Sequence, residues 1–517
     1  MALSLECNPV TERDVLRVEY VVSVLPLRSI VITGWLIVSQ CAIGQLLAEG
    51  DPQDSPSSRP RQIQIKGWTL AGNVRLRLED WDFFKTKAGD SSYAYGASLV
   101  RVSISRQFQS QDWLFELAQP SLIGLPSDAI ASPPQGQLGF GGSYFAANPE
   151  RTVGAFLKQG FVRFKGVGGD RSSNLRIGRF EFGDGLEMTP ESPLGTVIRD
   201  RIANRLIGNF GFTHVQRSLD GIHFSRSTPD TNFTFVAARP TEGVFQVKGM
   251  NELNVDIVYG AWTKNVRSLG DGQGRLFATY YRDGRDVLKT DNRPVSARLA
   301  DHGKLNITTI GGNYVSVFDT GKGKADVLFW GTFQAGTWGA QRHRANAAAV
   351  EAGYLFDSAR LKPWARGGYF RGSGAGDPSD RTHRTFFQEL PTPRPFARFP
   401  LYNLMNNEDA FAQFTFNPMR KLTIRSEAHW LNLTSAKDLW YVGGGAFQKQ
   451  SFGYTGRPSN GLKRFARVLD VSSDYQLDGQ TTLTLYAAHA SGKDVIRNLF
   501  PEGPGASLIY IEVTKRF

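Results

Sequence analysis

The chain is poor in sulfur, with 2 cysteines and 5 methionines in 517 residues. Both cysteines, Cys7 and Cys41, precede residue 45, so nothing beyond it can form a disulfide or a cysteine zinc site. Histidine is scarce too, at 7 residues, and none has the His-Glu-x-x-His spacing of a zinc protease. No Gly-x-Ser-x-Gly elbow of a serine hydrolase occurs. Gly270-Asp-Gly-Gln-Gly274 lies between strand-like segments rather than ahead of a helix, so it reads as a turn and not a phosphate loop. No cofactor and no metal site is expected. Long apolar runs are missing as well. With 41% hydrophobic residues and a mean hydropathy of −0.29, a bundle of membrane helices is excluded. A membrane β-barrel is not, because only alternate residues of its strands meet lipid.

What is abundant is glycine (55), phenylalanine (35) and tyrosine (16), the residues of turns and of aromatic girdles. Basic residues exceed acidic ones by 12. Residues 1–44 hold three basic and four acidic residues, so the remainder carries 57 against 44, or +13. Such an excess points to an anionic partner. Basic residues with interleaved aromatics also suit nucleic acid, but the export signal and the strand periodicity argue against it.

Arg28 followed by Ser-Ile-Val-Ile-Thr-Gly-Trp-Leu-Ile-Val, with Ala42-Ile43-Gly44 behind, has the n-region, h-region and small residues of a signal peptide. Residues 1–44 are therefore read as a signal peptide. About 25 residues ahead of it have no evident role, which suggests a start codon assigned too early. Residues 45–66, with Pro52, Pro56 and Pro60, read as a disordered periplasmic lead-in, and 67–517 as the folded body.

From residue 67 onward strand-like segments recur and no convincing helix intervenes. Val74, Leu76 and Leu78 alternate with Arg75, Arg77 and Glu79; Val100, Val102 and Ile104 alternate with Arg101, Ser103 and Ser105. Eighteen such segments are expected: 72–80, 97–106, 112–119, 155–164, 174–182, 213–225, 232–239, 252–262, 275–283, 304–318, 325–334, 342–356, 361–371, 409–416, 421–433, 464–477, 481–489 and 507–517. Connections after even-numbered strands are mostly tight, and those after odd-numbered strands mostly long. Leu439-Trp-Tyr-Val442 is strand-like but is placed within a long outer loop. The last segment alternates Ile509, Ile511 and Val513 with Tyr510, Glu512 and Thr514 and stops on Phe517, the ending of a strand that closes a barrel. The expected fold is all-β: a transmembrane antiparallel β-barrel of about 18 strands with short periplasmic turns and long extracellular loops, in the cell outer membrane.

The face opposite the aliphatic residues is repeatedly arginine: Arg75, Arg77, Arg101, Arg163, Arg176 and Arg425, with Glu79, Glu427 and His429 among them. In a barrel this face lines the lumen. A series of guanidiniums can pass a polyanion from one bidentate contact to the next, with acids keeping any one site from trapping it. The plainer alternative is that these charges pair with one another and fill the interior.

Leu175-Arg-Ile-Gly-Arg-Phe-Glu181 and Val215-Gln-Arg-Ser-Leu-Asp-Gly221 resemble strand motifs of the alginate export proteins of Gram-negative outer membranes. Residues 372–407, with Asp377-Pro-Ser-Asp380, Thr385-Phe-Phe387, Leu390-Pro-Thr392 and Leu404-Met405, resemble that family's long loop before the last five strands. The resemblance runs from about residue 72 to the end. It adds Arg179 and Arg217 to the candidate substrate-binding residues and implies a barrel whose electropositive lumen conducts a polyuronate. It implies as partners an anionic polysaccharide or uronate oligomers, outer-membrane lipid, the barrel assembly machinery and a periplasmic export partner. The family's plugging periplasmic loop near the C-terminal end is reduced here to a minimal turn at 477–480, while loop 120–154 is long enough to constrict the pore from outside. Two further functions stay open: uptake of small anions or uronate oligomers, and hydrolysis by a barrel enzyme.

Overall fold

The computed structural model describes residues 63–517 other than 358 and 393–397. The signal peptide and most of the lead-in lie outside the described residues. Eighteen long antiparallel strands follow in chain order: β1 (Trp68–Asp82), β2 (Ser92–Gln107), β3 (Gln111–Ile123), β4 (Phe156–Lys165), β5 (Ser173–Phe180), β6 (Leu219–Ser227), β7 (Thr231–Pro240), β8 (Val255–Val266) and β9 (Asp271–Asp283). The series continues with β10 (Leu305–Asp319), β11 (Lys324–Trp338), β12 (Gln341–Leu355), β13 (Trp364–Gly372), β14 (Asn407–Met419), β15 (Leu422–Leu433), β16 (Arg464–Gln476), β17 (Thr481–Gly492) and β18 (Gly505–Arg516). Each pairs with its sequence neighbour, and β1 pairs with β18 from Asn73↔Arg516 to Asp82↔Ser507, which closes the barrel.

Closure is sealed at the last residue. Gly72 and Phe517 exchange both backbone hydrogen bonds, at 2.8 and 2.9 Å. The Phe517 ring lies so close over Gly72 that a Cβ there would stand 2.8 Å from it, so this position requires glycine. The closed barrel wall therefore presents no open strand edge.

The two faces of the wall follow the alternation in sequence. Leu76, Leu78, Leu117, Leu276, Phe333, Ile509 and Ile511 point outward and are exposed, Phe333 by 74%, whereas Arg77, Glu79, Arg101 and Glu427 are buried. Exposed aliphatics on one face and buried charges on the other invert the pattern of a water-soluble protein and match a wall between lipid and lumen. No helix among the described residues is long and apolar enough to cross a membrane.

Turns on one rim are short, such as 108–110, 228–230 and 320–323, while the other rim carries 124–155, 181–218, 284–304, 373–406 and 434–463. One connection on the long-loop side, 339–340, is minimal. The strand-like 439–442 pairs with Tyr454–Pro458 as a small sheet of its own. Ile63–Ile65 forms a short hairpin with the start of β1. The segment expected as a strand from 213 begins only at Leu219. Residues 213–218 run inward instead, with Gln216 at φ 61° and the Thr213 carbonyl bonded to Arg75.

Candidate channel lumen

Arg75 and Arg77 on β1 and Arg101 on β2 face inward at neighbouring levels of the wall, yet they end in different company. The Arg77 guanidinium bonds Glu512 at 2.7 Å, Glu79 and the Phe212 carbonyl at 3.1 Å each, and stacks on the Phe212 ring at 4.1 Å. Arg101 makes two parallel 2.8 Å bonds to Glu116 and a 2.6 Å bond to Glu181. Arg75 instead donates to two loop carbonyls, Gly211 at 2.6 Å and Thr213 at 2.5 Å, and its contact with a carboxylate, Glu512, is long at 3.8 Å.

The remaining candidates divide in the same way. Arg179 holds Asp220 through two 2.7 Å bonds and also takes the Met250 carbonyl. The pairing register runs unbroken through Gly178, so Arg179 and Asp220 stand on the outward face with Ile177 and Ile222 while Phe180 and Leu219 face inward. Arg179, expected among the lumen residues, is on the other side of the wall because successive side chains of a strand alternate. Arg163 pairs with Asp112. Arg217 bonds the carbonyls of Gly444, Ala446 and Pro391 and meets no carboxylate among the described residues. Arg176 lies over the Phe161 ring at 4.6 Å, likewise with no ion pair among the described residues. Arg425 reaches Glu427 at 3.7 Å, a loose contact.

Two external loops fold into the lumen. Loop 181–218 opens helix α2 (Pro193–Asp200), whose Ser192 hydroxyl accepts from the Gly195 amide at 3.0 Å and whose first residue is proline, a strong helix start. Ile198, Ile202 and Leu206 follow at intervals of four and are fully buried inside the barrel. The same loop brings Arg201 and Arg205 to Glu351 on β12, at 2.5 and 3.4 Å, where Arg366 joins at 2.9 Å. Asp184 and Glu187 meet Arg275 on β9 at 3.4 and 3.3 Å. Strand periodicity could not single out these loop charges. The Ile198/Ile202/Leu206 spacing is the signal in the sequence: a four-residue apolar periodicity that a loop in water would leave uncovered, of which only Ile198 lies in the helix itself.

Residues 373–392 of the loop that follows β13 lie against the first. Leu390 exchanges backbone bonds with Leu206 and Gly208 at 2.7 and 2.8 Å. Glu389 is fully buried and accepts from the hydroxyls of Thr279 and Thr309 on the wall. Burial without a cationic partner pushes this carboxyl up to about 7. Glu181 goes the opposite way: burial would raise it, but Arg101 and Lys158 outweigh that and hold it down at about 2. Loop 124–155, expected to narrow the pore, also packs inward, through α1 (Phe140–Ala147), but 181–218 and 373–392 occupy the lumen with it.

The described histidine contacts do not link a serine to an acid. His489 bonds Ser507, His302 bonds Asp286, and His429 sits between Asp409 and Glu427.

Residues 151–502 match the model of the alginate export family. Among solved structures, Pseudomonas aeruginosa OpdK, determined with vanillate, aligns with 8% identity over 87% of this chain and 98% of its own, at a TM-score of 0.52. Pseudomonas aeruginosa OccK9 (OpdG) aligns with 10% identity over 88% and 99%, at 0.53, and OccD3 (OpdP) of the same organism with 9% over 89% and 95%, at 0.52. At these identities the likeness is one of fold. No curated protein matches the chain.

Proposed function

The chain belongs to the alginate export family, and from that premise we propose that this outer-membrane channel conducts an anionic polysaccharide of the polyuronate kind rather than catalysing a reaction. The observation that carries the reading is the unequal pairing of the lumen guanidiniums. Arg77, Arg101 and Arg163 are satisfied by carboxylates of the chain and set the shape of the wall. Arg75 and Arg217 are held mainly by backbone carbonyls of the inward loops.

A carbonyl is the weaker partner. A charge-assisted bond to a carboxylate is roughly twice as strong as its neutral counterpart, and the planar fork takes both carboxylate oxygens at once. A polyuronate entering the lumen therefore competes with Gly211, Thr213, Gly444 and Ala446 for the same donors. As it binds it releases the loops that fill its path. Acids along the wall prevent the polymer from binding too tightly at any one level. On this reading the barrel assembly machinery inserts the chain, lipid surrounds it, and a periplasmic export partner delivers the polymer.

Narrow passage past two inward loops also favours a second reading, uptake of small anions or uronate oligomers through the same guanidiniums. Planar bilayers separate the two. Purified barrel should prefer anions at low salt, and long polyuronate added on the periplasmic side should open or block it at lower concentration than single uronates. Neutral glycan of equal length should do neither. Equal effects of long and single uronates would favour uptake, and equal effects of charged and neutral glycan would end the polyanion reading.

A further inference from the structure

On the external side, residues of segments 83–91, 124–155, 241–254, 373–406 and 434–463 line a cavity of about 230 Å³. One cation lines it and no acid does. Arg457, only 4% exposed, donates from Nε and Nη2 to the carbonyls of Gln135 and Gln137, both at 2.7 Å, and lies over the Trp440 ring at 4.5 Å. It makes no ion pair among the described residues, and burial alone lowers its pKa to about 10. A buried guanidinium held by carbonyls, with no neutralising charge, costs free energy unless an anion completes it.

The rest of the lining says which anion. Phe140, Phe245, Phe447 and Tyr454 supply aromatic walls, while Gln137, Gln448, Ser451 and Thr455 supply amides and hydroxyls. Aromatic faces suit the apolar C–H faces of a sugar ring, and the polar groups suit its hydroxyls. At ~30 Å³ per water, the volume equals about eight waters, room for one ring and not for a chain segment. We propose that this vestibule is a binding site for a single uronate unit, its carboxylate taken by Arg457, which holds the emerging polymer at the external mouth. The inference rests on the polyuronate reading and adds to it a site built by the external loops rather than by the barrel strands.

The test uses the full-length barrel in detergent, titrated calorimetrically with alginate trimer, with a neutral trisaccharide and with inorganic phosphate, alongside current block in bilayers. Wild type should bind the uronate at least tenfold more tightly than the neutral sugar or phosphate. Arg457→Gln should remove that preference. Because Arg457 also ties two loop segments, Ala146→Trp is the second variant; Ala146 is an exposed residue of the cavity lining, and a bulky ring there should abolish binding without touching the guanidinium. Both variants should keep the anion preference of the pore. If both bind the trimer as wild type does, the site is refuted while the polyuronate channel stands. If phosphate competes as well as the trimer, the site is a general anion site and the saccharide assignment falls. If wild type shows neither trimer binding nor polyuronate block, the functional reading fails with it.

Discussion

Arg75→Gln removes a single lumen charge at the point where the wall grips loop 181–218. The side chain gives two hydrogen bonds, to Gly211 and Thr213, at 2.6 and 2.5 Å. Bonds involving a charged group contribute roughly 1.5–3 kcal/mol each, and a glutamine can restore about one neutral bond of ~1 kcal/mol. The net loss is about 3 kcal/mol of loop docking, or about a hundredfold in the docked-to-released ratio at ~1.4 kcal/mol per decade. The barrel itself should be spared, because the long contact with Glu512 at 3.8 Å leaves no tightly paired acid stranded; Glu512 keeps Arg77. Single-channel recordings should therefore show openings about a hundred times more frequent, together with a reversal potential shifted away from anion preference. That shift should fade at 1 M salt, where screening acts within ~3 Å. Unchanged opening at unchanged assembly would refute the idea that guanidinium–carbonyl bonds keep the loop in place.

Arg101→Gln should behave differently, because it strands Glu116, while Glu181 keeps Lys158, and a broken buried pair costs ~3–5 kcal/mol; Arg101→Gln with Glu116→Gln should recover much of it, read as the temperature of the heat-modified gel shift. Glu389, raised from 4.5 to about 7 in the docked loop, favours docking below pH 4.5, and that contribution is lost as pH rises toward 7. Openings should rise between pH 5 and 7.5, by up to about tenfold per unit, and Glu389→Gln should flatten the dependence. Phe517→Ala empties the ring's seat over Gly72 and should lower the amount of folded barrel in the outer membrane, with conductance per molecule unchanged. Trypsin applied to intact cells should cut at exposed Lys437 in loop 434–463 and spare Arg420 and Lys421 on the opposite rim; the reverse pattern would invert the orientation.

Strand number, facing and closure were legible from composition and period alone. Alternation of Leu76 and Leu78 with Arg75, Arg77 and Glu79 needs no tertiary information, since a pleated strand sends successive side chains to opposite faces. The contrast between turns and loops oriented the barrel for a similarly local reason, and the terminal aromatic marked the closing strand. The inward path of residues 213–218 was not legible: Thr213-His-Val-Gln looks extended on its own, and partners distant in sequence hold it off the wall, Arg75 and Arg101 from the strands and Tyr144 and Val244 from other loops. The same holds for the arginines as a set. The placement of Arg75, Arg77, Arg101, Arg163, Arg176 and Arg425 on the lumen face is a matter of period, but what each one holds is set by the segments that fold against it. Arg77 and Arg75 are two residues apart on one strand; the first meets Glu512 and Glu79 closely, and the second meets mainly peptide carbonyls. A guanidinium's partner is fixed within a few ångströms by chain segments brought together from opposite ends of the sequence, and that proximity exists only once the barrel has closed.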